Sequence, residues 1–284
     1  MPLTRFGLLI SPSYPDVAPK DLFTHMRDVA RAAEQSGFDS LWVPDHVMQS
    51  DIGGGRPGQM PEAYTMLGAL AATTERARLG ALVTPITLRN PALLAKMVAA
   101  LDVISAGRAF LGLGAGWDGE EFDAYGIGFP AAREREDRLE ESARICRAML
   151  TEESASFEGS YYSIDTAWNV PRPIQASVPI LIGGGGERRT LRIVAEHADA
   201  CNIGGEPAVL RHKLEVLEQH CEAVGRNFAE ITKTCMLTPP GSTAELCDAV
   251  GERLAVGMEG FLMLGRAAPE QVQTWGAALM STFS

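Results

Sequence analysis

Three stretches of this sequence carry residues whose types and spacing could hold or act on a small molecule. Asp45-His46 sets a carboxylate beside an imidazole directly after a strand-like run, residues 40–44. The imidazole can relay a proton near neutral pH, and the carboxylate can accept a hydrogen bond from a ligand. The alternative for the pair is a helix-capping Asp followed by a His packed for shape. Gly183-Gly184-Gly185-Gly186 follows the apolar run 178–182 and precedes Glu187, Arg188 and Arg189, with Leu191, Val194, Ala195 and Ala198 then at helical spacing. Uncovered main-chain N–H groups at a helix N-terminus favour an anion, and a phosphate is the working assignment. A flexible turn that lets helix and strand pack closely is the competing one.

The third stretch, Gly114-Ala115-Gly116-Trp117-Asp118-Gly119, matches G-x-G-x-x-G behind a strand. A dinucleotide fingerprint also needs a helix at once behind the glycines, and here only a short acidic segment separates Gly119 from Gly126 and Pro130. We read the glycines as letting a flat ligand approach, with Trp117 either its wall or a core residue under the loop. Asp118, Glu120, Glu121 and Asp123 have the pattern of a solvated loop, from which one carboxyl could serve as an acid. The other histidines, His25, His197, His212 and His220, fall on outer helices, so no metal centre is expected. No G-x-S-x-G elbow, P-loop or H-E-x-x-H is present, and acyl transfer and zinc hydrolysis recede.

These residues need elements to position them. Strand-like segments at 6–10, 40–44, 79–87, 109–113, 178–182, 200–203, 231–237 and 260–264 alternate with helix-period stripes, and 157–164 reads as a hairpin-like insertion. Strand–helix alternation implies parallel pairing, and eight units closing on themselves make an α/β fold of the (β/α)8 TIM barrel type, one domain over 1–284. An open doubly wound sheet would carry its dinucleotide loop after the first strand, where Ser11-Pro12-Ser13 stands instead. In the barrel, Ser11, Asp45-His46, Thr84, Gly114 to Trp117 and the tetraglycine collect at the C-terminal mouth, with the long segments 49–61 and 117–130 as insertions around it.

Bulk properties limit the partners. A formal charge of −11 argues against a broad basic surface for nucleic acid or an anionic membrane, and no uncharged apolar run is long enough to span a bilayer. Five cysteines without a C-x-x-C, and an N-terminus lacking the basic and apolar regions of a secretory signal, lead us to expect a cytoplasmic protein with reduced thiols.

The set Gly37-Phe38-Asp39-Ser40-Leu41-Trp42-Val43-Pro44-Asp45-His46, Val83-Thr84-Pro85 with Arg89-Asn90-Pro91-Ala92, Leu101-Asp102 with Ser105-x-Gly107-Arg108, Leu113-Gly114-Ala115-Gly116-Trp117 and Ile182-Gly183-Gly184-Gly185-Gly186 resembles the luciferase-like monooxygenase superfamily over nearly the whole chain. Asp-His after the second strand and the tetraglycine after the fifth look most like its branch using the deazaflavin coenzyme F420 rather than FMN. The resemblance implies a bacterial-luciferase-like barrel, usually a homodimer, that transfers hydride to or from C5 of the deazaflavin and a small organic substrate. It implies that Asp45 hydrogen-bonds near the ring and His46 lies close to the reacting carbon. It also implies a non-proline cis peptide at Leu82–Val83, beside Thr84, as a bulge behind the ring. Gly114, Gly116 and Trp117 would line the site. Gly183, Gly184, Gly185 and Gly186 would hold the phosphate, with Glu187 and Arg188 nearby. The chain departs from the branch's sugar-phosphate dehydrogenases, which carry a glutamate where Trp117 stands and an aromatic where Ser50 stands, so neither their proton donor nor their substrate is carried over. An FMN-dependent monooxygenase and a non-catalytic barrel binding a phosphorylated ligand are the alternatives.

Overall fold

The structure, a computed structural model, describes residues 2–50 and 55–283. Gly53 and Gly54 of the polar loop lie outside the described residues. The chain runs β1 (Phe6–Ile10), α1 (Leu22–Gln35), β2 (Ser40–Val43), α2 (Ala63–Ala71), β3 (Arg78–Ala81), β4 (Thr84–Pro85), α3 (Pro91–Ile104), β5 (Leu111–Gly114), α4 (Gly119–Ala124), α5 (Ala132–Thr151), β6 (Ser154–Glu158), β7 (Ser163–Trp168), β8 (Ile180–Gly183), α6 (Thr190–His197), β9 (Ala200–Asn202), α7 (Pro207–Val224), β10 (Thr232–Leu237), α8 (Thr243–Leu254), β11 (Gly260–Gly265) and α9 (Pro269–Phe283). Local chemistry sets several of these limits. The Asn90 side chain accepts from the Ala92 N–H with Pro91 at the first helical position of α3, Ser242 and Glu245 form a capping box on α8, and α7 stops at Gly225 in the left-handed region.

Parallel pairs run β3-β2-β1-β11-β10-β9-β8-β5-β4. A parallel bridge between Leu79 and Ala109, with the Phe110 N–H donating to the Leu79 carbonyl at 2.7 Å, brings the two ends of that order together. The sheet therefore wraps into the expected α/β barrel. One boundary differs from the sequence reading, which takes 79–87 as a single strand. The stave is interrupted at Leu82–Val83, a cis peptide, so that β3 pairs with β2 and β4 pairs with β5. The β6–β7 hairpin is antiparallel and stands apart from the barrel sheet, as an insertion should.

Strand side chains alternate between two apolar regions. Leu9, Trp42, Phe110, Leu181, Ala200 and Leu262 cluster together, while Leu8, Ile10, Leu41 and Leu111 join the larger cluster that includes the helices. Gly80 makes room in the smaller cluster, since a Cβ there would stand 2.9 Å from both the Trp42 indole and Phe110 Cβ. The Trp42 Nε1–H is satisfied by Ser40 Oγ at 2.9 Å. No described helix is long and apolar enough to cross a membrane.

At the end of α1, the Glu34 carboxylate accepts the N–H groups of Glu75, Arg76 and Ala77 at 3.0, 2.6 and 2.7 Å, joining the helix to the turn before β3. Burial pushes this carboxyl up, but those amides and the Arg76 charge outweigh burial and hold it below its ordinary value. Glu34→Gln should cost about 2 kcal/mol at neutral pH, the scale of a charge-assisted buried hydrogen bond. A carboxyl with a depressed folded pKa stabilises above the ordinary carboxylate range and loses that contribution as pH falls through the folded value. Urea unfolding at pH 7 and at about pH 3.5 should show the difference between the proteins narrowing at the acid end; a constant gap would contradict this assignment.

Candidate active site

A cleft of about 400 Å³ opens at the C-terminal ends of β4, β5, β8, β9 and β10. Its floor follows from what glycine permits. Val83 bulges out of the interrupted stave and packs across β5 and β8, where a Cβ on Gly114 would lie 2.5 Å from Val83 Cγ2 and one on Gly183 3.0 Å from Cγ1. The two strand-end glycines therefore let Leu82 and Val83 form a low apolar wall. Gly116, at φ 78°, turns the chain so that Trp117, 56% exposed, stands at the mouth. Trp117 is thus the wall residue of the two readings, and meets the His46 ring edge-on at 5.7 Å.

His46 lines the cleft, and its Nδ1 is 2.8 Å from Oε1 of Glu121. The second Glu121 oxygen accepts the Val47 N–H at 3.0 Å. This corrects the reading of the acidic cluster as a solvated loop: Glu121 is fully buried and Asp118 nearly so, because a six-residue helix, α4, turns Glu121 and Phe122 inward. Arg56 holds that segment from the polar loop, its Nη2 3.1 Å from Asp118 Oδ2 and its Nη1 on Glu120.

Asp45 faces away from the cleft. It is 1% exposed and takes Arg89 through both oxygens, Nη1–Oδ2 at 2.5 Å and Nη2–Oδ1 at 3.1 Å, while Arg89 Nη2 also reaches Glu62 at 2.6 Å and the guanidinium lies over the Tyr64 ring. Burial pushes the Asp45 carboxyl up, against the pull of Arg89 and the Thr84 hydroxyl. Thr84 is fully buried and bonds the Tyr64 hydroxyl at 2.9 Å, so it too lies behind the wall.

The tetraglycine forms one side of the cleft. The Gly184 N–H donates to the Asn202 carbonyl, whereas the amides of Gly185 and Gly186 have no acceptor among the described residues. Helix α6 starts at Thr190, beyond Glu187, Arg188 and Arg189, so a turn separates the glycines from the helix dipole. Glu187 is drawn to Lys213 at 2.6 Å and His212 at 3.2 Å, and Arg188 borders an adjoining groove with Arg133 and Glu136. Neither lines the cleft itself. Sequence reasoning missed Thr190, Asn202 and Met236, all of which do. Asn202 and Met236 sit at or near the ends of β9 and β10, where the barrel rule would have placed them.

The family model of the luciferase-like monooxygenases matches residues 4–244. The chain belongs to this family. Among relatives of this luciferase-like chain, an F420-dependent glucose-6-phosphate dehydrogenase of Kineococcus radiotolerans is 37% identical over 74% of the chain and 61% of its own length. One of the same description from Nakamurella multipartita is 34% identical over 81% of the chain and 66% of its length. The chain thus spans a little under two thirds of these relatives. The structure also matches an F420-dependent secondary alcohol dehydrogenase solved with an F420–acetone adduct, with a TM-score of 0.81 over 99% of each chain at 18% identity. A long-chain alkane monooxygenase matches at 0.81 over 98% of this chain and 91% of the other, at 13% identity. At such identities these two likenesses concern the fold alone.

Proposed function

We propose that this luciferase-like barrel is an oxidoreductase that passes hydride between coenzyme F420 and a small neutral alcohol or carbonyl compound. The observation that carries the reading is the cleft itself, with an apolar Val83 wall fitted against Gly114 and Gly183, His46 lining the same space, and the open amides of Gly185 and Gly186 at its side. A flat, phosphate-bearing cofactor fits this set of donors. Leu82, Val83 and Trp117 would hold its ring and the two glycine amides its phosphate. When bound, F420 supplies a carbon that accepts or gives up a hydride. The protein's part is orientation, exclusion of water and proton transfer. His46 takes the hydroxyl proton at Nε2 as the alcohol carbon loses its hydride, and returns it when a carbonyl is reduced.

The substrate reading rests on the lining, which carries no lysine or arginine among the described residues. Glucose 6-phosphate, the substrate in the names of the relatives, would bring a dianion to a lining whose nearest cation, Lys213 beside Gly185, is already paired with Glu187. We expect its kcat/KM to lie about 100-fold or more below that of a small secondary alcohol, roughly the 3 kcal/mol of one charge-assisted contact. Steady-state assays of both substrates with F420 check this, and a preference for the sugar phosphate would contradict it.

Gly185 tests the cofactor end. A Cβ there would meet only Ile203 Cγ2 at 3.5 Å and Lys213 at 3.8 Å and beyond, ordinary contacts, so Gly185→Ala should leave Tm nearly unchanged. It should still weaken F420 binding about tenfold by covering the amide, the scale of a hydrogen bond to a charged group. A loss of Tm with unchanged affinity would contradict the assignment. Membership of a monooxygenase family keeps an FMN-dependent oxygenase as the second reading. With the favoured one go a single 1–284 barrel unit, a homodimer and a cytoplasmic location. The location is supported by five free cysteines, four of them buried.

A further inference from the structure

We propose that Glu121 is a positioning residue that fixes which nitrogen of His46 carries the proton, an inference that rests on the reading of His46 as the proton carrier. A carboxylate only accepts, so its 2.8 Å contact requires His46 Nδ1 to donate. In the neutral imidazole the lone pair is then on Nε2, the nitrogen with no partner among the described residues. The carboxylate is fixed from its other side as well. Glu121 is fully buried, and its other oxygen holds the Val47 N–H. The helix that carries it is held by Phe122 against Phe129, at 4.9 Å between ring centres, and by the Tyr125 hydroxyl donating to the Val47 carbonyl at 2.9 Å. Trp117 meets the imidazole at 71°. The Glu121 carboxylate therefore turns His46 into a base aimed away from α4, a role its place in a run of four acidic residues conceals.

Glu121→Gln separates this from a purely structural role. The side-chain carbonyl of Gln can still accept from Val47, while its NH₂ can only donate to Nδ1, which reverses the tautomer. Histidine-selective ¹⁵N NMR of the protein without any ligand, with His46 assigned from its loss in His46→Asn, should show Nδ1–H in the wild type and Nε2–H in Glu121→Gln. With F420 and a secondary alcohol, the variant should lose kcat about tenfold or more while KM and F420 affinity hold. A wild-type His46 protonated on Nε2 would overturn the proposal, as would a Glu121→Gln variant with unchanged tautomer and kcat. If the tautomer reverses as expected but the wild type turns over no alcohol with F420, the positioning role stands and the proposed activity falls.

Discussion

His46→Ala is expected to lower kcat by about 10²–10⁴-fold, the usual range for one positioned acid or base, while leaving F420 affinity within a few-fold. Among the described residues, His46 is the one imidazole on the cleft lining, and no carboxylate or lysine there could take over the proton. Trp117, beside it, has no proton to give at neutral pH. The substitution also leaves Glu121 buried with only the Val47 N–H, so Tm should fall as well, by the equivalent of about 1–3 kcal/mol. His46→Gln, which can donate to that carboxylate, should recover the stability and none of the rate. Full turnover in either variant would remove His46 from the chemistry.

The second large effect is one of stability. Arg89→Met should destabilise the fold by about 3–5 kcal/mol at neutral pH, because it strands the Asp45 charge at 1% exposure. Met replaces much of the aliphatic stem and its packing near Tyr64, so what is lost is mainly the charge and its five donors. The sign of the pH dependence follows from Asp45. Burial already pushes its carboxyl up, and without the guanidinium it rises further, so the folded state binds a proton that the unfolded state does not. Stability of the variant should accordingly improve, relative to wild type, as pH falls from 7 toward 5. Asp45→Asn combined with Arg89→Met should recover most of the loss, since no buried charge is then left alone. Chemical denaturation of the wild type and the two variants at two pH values measures all of this. An Arg89→Met protein as stable as wild type would mean that the pair contributes nothing to holding the His46 loop.

The barrel was legible because its evidence is local and repeated. Each strand-like run is followed by a helix stripe, and only parallel pairing satisfies that order. The interruption at Leu82–Val83 was not legible from local patterning. Two apolar residues without glycine or proline carry no breaker signal, and only the family resemblance pointed to them. The late start of α6 was hidden for a similar reason, since Glu187, Arg188 and Arg189 are all good helix formers, while in the fold Glu187 is drawn to Lys213 and Arg189 to Asp137. In the site, residue type identified His46 and the glycines, but not which way a side chain faces. Asp45 reads as a ligand contact until Arg89, 44 positions later, is seen to take both its oxygens. Glu121 was one of four equivalent carboxyls until the six-residue helix turned it, and not Glu120, toward His46, 75 positions earlier. Such contacts are long-range, and no periodicity encodes them.

Which flat cofactor the Val83 wall accepts decides the chemistry of this barrel. Parallel difference-spectrum titrations of the purified protein with F420 and with FMN decide it. F420 should bind saturably with a dissociation constant on the order of 1 μM or below, and FMN should show no comparable binding. Tight binding of FMN with none of F420 would contradict it.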